Sequence, residues 1–206
     1  ALILFILMSI VHFGLCDWSY LGLKKYKWSV SLTHGLNIVF GIIFFHTNET
    51  FEIFTFLSNL SFNQFQEYLY IVYICYFFLL IRYAYLAIKF TRLRWGILEM
   101  SIILLVIFLT EPLVAFSIYF CFIHTFKHVK SILKDTSKYL SNNKFITITT
   151  ISFTILTWVG GSLAIIYLHK SFSFDESFIK TLFIGLAALT LPHMTLVDIF
   201  YRRKFN

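Results

Sequence analysis

The chain has 206 residues, 59% of them apolar and only 13% charged, with a mean hydropathy of +0.80. A soluble domain of this size has too little interior to hide that surface, 26 phenylalanines included, so the solvent is lipid. The net charge of +7 would suggest nucleic acid only if the cations clustered on a soluble face; they lie in short connections between apolar runs, so no nucleic-acid partner is expected.

Only two prolines and eight glycines interrupt the chain, and the apolar runs do not alternate with polar residues, which favours helices over a β-barrel. Run lengths predict about seven spans: 1–17, 29–46, 67–89, 95–110, 112–132, 145–169 and 177–200. The fold class is therefore all-α, a polytopic membrane helix bundle forming one integral-membrane domain over residues 1–206. The first run is shorter than the roughly 20 residues a span needs and has no basic n-region of a signal peptide. It reads as a start inside a helix, with an N-terminal helix missing upstream.

Between the spans, Phe51 to Phe65 reads as an outer interfacial helix, with Phe51, Phe54, Leu57 and Leu60 on one face. Its N-x-S/T matches at Asn48 and Asn59 are weak and need no glycan. Glu111-Pro112 reads as a tight turn opening a new helix, because proline is tolerated in the first helical turn. Basic connections (Lys24, Lys25 and Lys27; Lys89, Arg92 and Arg94; Lys127 to Lys144; Arg202 to Lys204) alternate with acidic ones. The positive-inside rule makes the basic loops cytoplasmic and the protein a multi-pass component of the inner cell membrane. Cys16, Cys75 and Cys121 all lie in apolar runs without paired spacing, so neither a disulfide framework nor a thiolate metal site is predicted.

The histidines carry the chemistry. His46 and His169 close spans at the outer surface, where an amphipathic ring needs no explanation. His12, His34, His124, His128 and His193 instead fall inside spans, all at a similar depth in the cytoplasmic half. His12, for example, lies roughly 8 Å from the end of its span. Ionisable groups within the membrane usually face the bundle interior and mark a function. His124 and His128, at i and i+4, leave one helix face, the spacing that lets two imidazoles share a metal. Interhelical hydrogen bonds would explain one such histidine; this set predicts a metal or proton site.

The neighbours add detail. Gly14 allows close backbone approach beside His12, and Asp17 is either an acceptor orienting a ligand imidazole or a solvated interfacial carboxylate. Asn37 follows His34 by one turn. Pro192 bends the last span, either to aim His193 inward or as a purely structural kink, with Asp198 beyond it. Tyr119, Phe120, Phe122 and Phe126 surround the histidine pair; such aromatics more often serve packing, but a long apolar substrate would need them as walls. A site of histidines alone argues against structural zinc and suits Fe(II) with open positions for O2. Two rivals stand beside this reading. "HTFKH" imitates one box of the membrane di-iron desaturases and hydroxylases, which carry several such boxes in loops. A proton-coupled transporter would use histidines as a relay, but should show broken helices or buried acid pairs.

The blocks "SIVHFGLCDW", "THGL", "YFCFIHTFKH" and "FIGLAALTLPHMTLVDIFYRR", in this order from about Ser9 to Arg203, resemble the Brp/Blh family of membrane β-carotene 15,15′-dioxygenases. The resemblance implies oxidative cleavage of β-carotene at its central double bond with O2 and Fe(II), giving retinal, with a functional link to a microbial rhodopsin. It implies iron ligands at His12, His124 and His128, and places His34 and His193 near the iron or along the pocket. A further family ligand, in a Pro-His-Gly-Ala-x-Asp type motif near the N-terminus, has no counterpart here. Oligomeric state and carotenoid range are not legible in the sequence.

Overall fold

In a computed structural model of the chain, residues 2–18, 21, 24–58, 61–136 and 143–205 are described. They are helical almost throughout, with no strand among them. The chain divides into two compact units, Ala1–Lys134 and Asp135–Asn206.

In the first unit, α1 (Leu2–Asp17) is followed by a 3-10 turn (Lys24–Tyr26) and α2 (Lys27–Phe45). Then come α3 (Thr47–Leu57), α4 (Phe62–Lys89) and α5 (Thr91–Leu109). The last segment is α6 (Pro112–Ile118), a π-helical turn (Tyr119–His124) and α7 (Thr125–Thr136). α2 is the central helix: 61% of its apolar stretch is buried, against 17% for α4, and it packs on α1, α3, α4, α5 and α6.

Glycine sets how closely the first two helices approach. A Cβ on Gly14 would lie 2.1 Å from the Ser31 carbonyl oxygen, and one on Gly35 would lie 1.9 Å from that of Ile10. Each helix thus presents a glycine to the other's backbone, the small-residue crossing that membrane helices use in place of large interdigitating side chains. This bears out the close approach expected at Gly14.

Two turns follow from local chemistry. Glu111 caps α6, Pro112 occupies its first turn, and α5 has already ended at Leu109, so the predicted break at Glu111-Pro112 is present. The predicted interfacial helix is divided. α3 covers only Thr47–Leu57, because Ser58 is extended and Ser61 opens a new helix with a capping box. The Ser61 hydroxyl accepts from the Gln64 backbone N–H at 3.4 Å, and Gln64 Oε1 accepts from the Ser61 N–H at 3.3 Å. Phe65 therefore belongs to α4 and packs back on Phe51 and Phe54, with ring centroids 5.4 and 5.7 Å apart. Asn59 and Leu60 lie outside the described residues.

The second unit comprises α8 (Asn143–Leu168) and α9 (Phe174–Phe205), which pack on each other. Ser173 opens α9, its hydroxyl accepting from the Glu176 N–H at 3.3 Å.

Lys27–Phe45, Phe62–Lys89, Pro112–Lys130 and Thr147–Leu168 are long and apolar enough to cross a bilayer; Leu2–Asp17 is a shorter apolar helix. α5 and α9 occupy the other two predicted spans and carry charge towards their N-terminal ends: Arg92, Arg94 and Glu99 in α5, and Asp175, Glu176 and Lys180 in α9. Large apolar side chains such as Ile74, Phe77, Phe78 and Trp158 face outward, as lipid permits and water does not. The chain is a polytopic helical membrane protein.

Candidate metal centre

The candidate residues of the first unit gather where the end of α1 meets the π turn. α1 presents His12, Cys16 and Asp17 over its last two turns, with Trp18 just beyond; the π turn and α7 present Tyr119, His124, Lys127 and His128. His12, Asp17, Trp18, Tyr119 and His124 are all buried.

The π turn determines which side chains face α1. In an α-helix, residues i and i+5 are about 140° apart around the axis. The wider π ladder, in which the Thr125 N–H donates to the Phe120 carbonyl, brings such residues towards one face. Tyr119 and His124 stand in that relation, and both reach Asp17. His124 Nδ1 lies 2.9 Å from Asp17 Oδ1 and 3.2 Å from Oδ2, and the Tyr119 hydroxyl donates to Oδ2. A carboxylate only accepts, so His124 donates from Nδ1, and in the neutral ring Nε2 carries the lone pair. Asp17 is 2% exposed, which removes the solvated-carboxylate alternative.

The other two rings lie close by. His12 and His124 have centroids 5.1 Å apart at 64°, and His124 and His128 have centroids 5.9 Å apart and nearly parallel, at 5°. His12 Nδ1 lies 3.6 Å from Cys16 Sγ. Phe13 and Phe120 flank His124 at 5.0 and 5.3 Å.

Do these residues fit a metal ion? Two imidazoles on one cation, each with nitrogen about 2.1 Å from it, have centroids roughly 4.5–6.4 Å apart. Both measured separations fall in that range. The donor set is imidazole, and the His124 ring is held through Nδ1 by a carboxylate, as ligating histidines almost always are held through one nitrogen. Ring orientation is what falls short: among the described residues no three His, Cys, Asp or Glu donors converge as they stand. The chemistry of the donors and the two ring separations are those of a shared ion.

His34, on α2, is fully buried and has its own partners. It stacks on Trp18 at 3.5 Å and 13°, and its Nε2 lies 3.0 Å from the Tyr83 hydroxyl. That hydroxyl donates to the Leu93 carbonyl at 3.3 Å, so Nε2–H donates to the tyrosine oxygen; Nδ1 is buried without a hydrogen-bond partner. Asn37 pins α2 to two neighbours, accepting from the Tyr76 hydroxyl at 2.6 Å and donating to the Met100 carbonyl at 3.4 Å. His193 is half-buried on α9, in the second unit; the side chains of Pro192 and Asp198 lie outside the described residues.

Glu99, Lys127, Trp18 and Tyr83 escape the sequence reading as site residues. Lys127 counts there as a loop cation. Here it forms an ion pair with Glu99, donates to the Asp17 carbonyl at 3.3 Å, and lies 4.5 Å above the Trp18 ring. The available signals were an acid inside an apolar run, Glu99, and a cation between two intramembrane histidines.

Buried imidazoles and a carboxylate brought together between helices of a lipid-facing bundle define an integral membrane protein with a histidine centre. The chain belongs to the β-carotene 15,15′-dioxygenase family, which it matches over residues 1–201. It is 29% identical over 202 residues to the β-carotene 15,15′-dioxygenase of uncultured marine bacterium 66A03, an alignment covering 98% of this chain and 72% of that protein. The family resemblance carried by the four sequence blocks is thereby borne out. No solved structure matches.

Proposed function

We propose that the chain cleaves β-carotene at its central 15,15′ double bond with O2, giving two molecules of retinal, with Fe(II) held by His12, His124 and His128. One observation carries this reading: in a chain of this family, imidazoles from α1 and from the π turn and α7 lie 5.1 and 5.9 Å apart, with His124 held by Asp17. Fe(II), when bound, supplies the activation of O2 that addition to an alkene requires. Neutral imidazoles leave the charge of the cation intact.

The protein's own part is positioning. Asp17 and Tyr119 fix the His124 ring and its tautomer, so that Nε2 is the nitrogen offered. Phe13, Phe116 and Phe120 stack along one side, with Phe116 and Phe120 centroids 5.7 Å apart, and exclude water. A polyene has no polar handle, so its orientation rests on such walls, and orientation is a large share of the catalysis available. The balance needs no side-chain base. One carbon–carbon double bond and the O–O bond break, two carbonyl bonds form, and no proton leaves. The substrate reaches the site from the bilayer, with the basic loops on the cytoplasmic side of the cell membrane, and the product supplies a retinal-binding rhodopsin.

The test is expression in a carotene-producing host. Retinal should accumulate, and His124→Ala or His128→Ala should abolish both retinal and bound iron. Loss of iron with cleavage intact would defeat the mechanism, and a parent protein that purifies without iron would favour a transporter.

A further inference from the structure

The ion pair between Glu99 and Lys127 lies in the first unit, beside the histidines yet outside the proposed ligand set. Both side chains are little more than a quarter exposed. Glu99 lies about 12 Å along α5 from its first residue. A carboxylate at that depth is costly without a role or a partner. Its partner Lys127 also donates to the main-chain carbonyl of Asp17, the last residue of α1. That carbonyl is one of the four a helix leaves unsatisfied at its C-terminus, where a cation is favoured. The same ammonium covers Trp18, the residue after Asp17. Lys127 thus grips the end of α1 at two adjacent residues, and Glu99 on α5 fixes Lys127. One residue's side chain separates that grip from the centre: Asp17, held through its backbone by Lys127, holds His124 through its carboxylate.

We propose that Lys127, fixed by Glu99, is a positioning residue: it sets the end of α1 so that the Asp17 carboxylate meets His124 and orients that ring for metal. The claim concerning metal rests on the proposed function above; the claim concerning the Asp17–His124 bond does not.

The experiment uses the full chain in detergent, with anaerobic Fe(II) titration, thermal unfolding, and side-chain 15N spectra of His124 in the metal-free protein. Lys127→Met should weaken Fe(II) binding on the order of 10-fold or more, as losses of supporting partners around metal sites do. It should also lower the thermal midpoint, because it removes the ion pair and leaves the Glu99 charge without its ammonium partner's compensation. Glu99→Gln/Lys127→Met removes both charges and should recover the midpoint while the Fe(II) affinity stays low, a split that a purely stabilising ion pair cannot produce. Lys127→Arg should restore both. Affinity returning with stability in the double variant would overturn the proposal, as would parent-like binding by Lys127→Met. If Lys127→Met does not fold, the double variant decides on the same criteria. If the parent binds no Fe(II), the metal reading fails by itself, and the His124 spectrum decides. A changed Nδ1 signal in the double variant sustains the positioning of His124 by Lys127, and an unchanged one refutes it.

Discussion

Asp17 and His124, separated by 107 positions in the chain, meet at 2.9 Å between Oδ1 and Nδ1 with both residues buried. The contact ties the end of the first helix to the π turn of a much later one, and it decides which nitrogen of His124 carries the lone pair. A hydrogen bond of this kind does more than hold two helices. It selects one tautomer and one ring orientation, which a ligand needs and a packing residue does not.

Asp17→Asn tests that selection. Asparagine keeps the size and one acceptor oxygen but loses the charge, and its amide nitrogen can only donate towards the groups that now donate to Asp17. Fe(II) affinity should fall by about 10- to 100-fold with helical content unchanged. Anaerobic titration of the detergent-solubilised variant measures the first and circular dichroism the second. Parent-like affinity would mean that the carboxylate only supports packing.

The glycines of the α1–α2 crossing make a sharper structural test. In Gly14→Ala the new Cβ would stand 2.1 Å from the Ser31 carbonyl oxygen, and backbone cannot swing aside as a side-chain end can. The helices must separate, at a cost of about 1–3 kcal/mol or more. Gly160, on α8, has nothing within 4 Å of its Cβ position. Gly160→Ala should therefore stabilise by about 0.5–1 kcal/mol through lost backbone freedom in the unfolded chain. Opposite signs in thermal unfolding are expected; equal effects would show that the crossing is looser than the structure has it.

Much of this architecture is legible in the sequence because lipid makes the rules simple. Apolar runs bounded by charge mark the helices, and Pro112 marks the break before α6 for a stereochemical reason that needs no tertiary context. The boundary between α3 and α4 was legible too, in Ser61 followed by Gln64, but that signal is short and the surrounding phenylalanines obscure it. His12, His124 and His128 stand out because imidazole is costly in an apolar run. The π turn is another matter. No residue pattern announces it, yet it brings Tyr119 and His124 to one carboxylate. Lys127 was hidden by being counted as a loop cation when the spans were oriented, and Glu99 by lying alone in an apolar run. Their pairing is a tertiary event between α5 and α7.

Tyr83→Phe probes the second buried histidine. His34 is fully enclosed, and the Tyr83 hydroxyl is its hydrogen-bond partner at Nε2. Removing that oxygen leaves a buried N–H without an acceptor, a loss of about 1–3 kcal/mol. Gly96→Ala should act in the same direction, because its Cβ would lie 2.1 Å from the same hydroxyl and displace it. Denaturation in the same detergent checks both. The two changes share one target, so the double variant should cost less than the sum of the singles; full additivity would show that Gly96 acts elsewhere.

His46 and His169 separate a specific centre from a general need for imidazole. His46 ends α2 and its Nε2–H donates to the Ile107 carbonyl at 2.7 Å, a link between α2 and α5. His169 is exposed beyond α8, edge-on to Phe174 at 6.2 Å. His46→Ala should cost about 1 kcal/mol for the lost hydrogen bond, and His169→Ala should fall within about 0.5 kcal/mol of the parent. Both should keep parent-like iron content and retinal yield in the carotene-producing host, where His124→Ala loses both. Loss of bound iron on either replacement, with the fold retained, would dissolve the case for a centre built on α1 and the π turn.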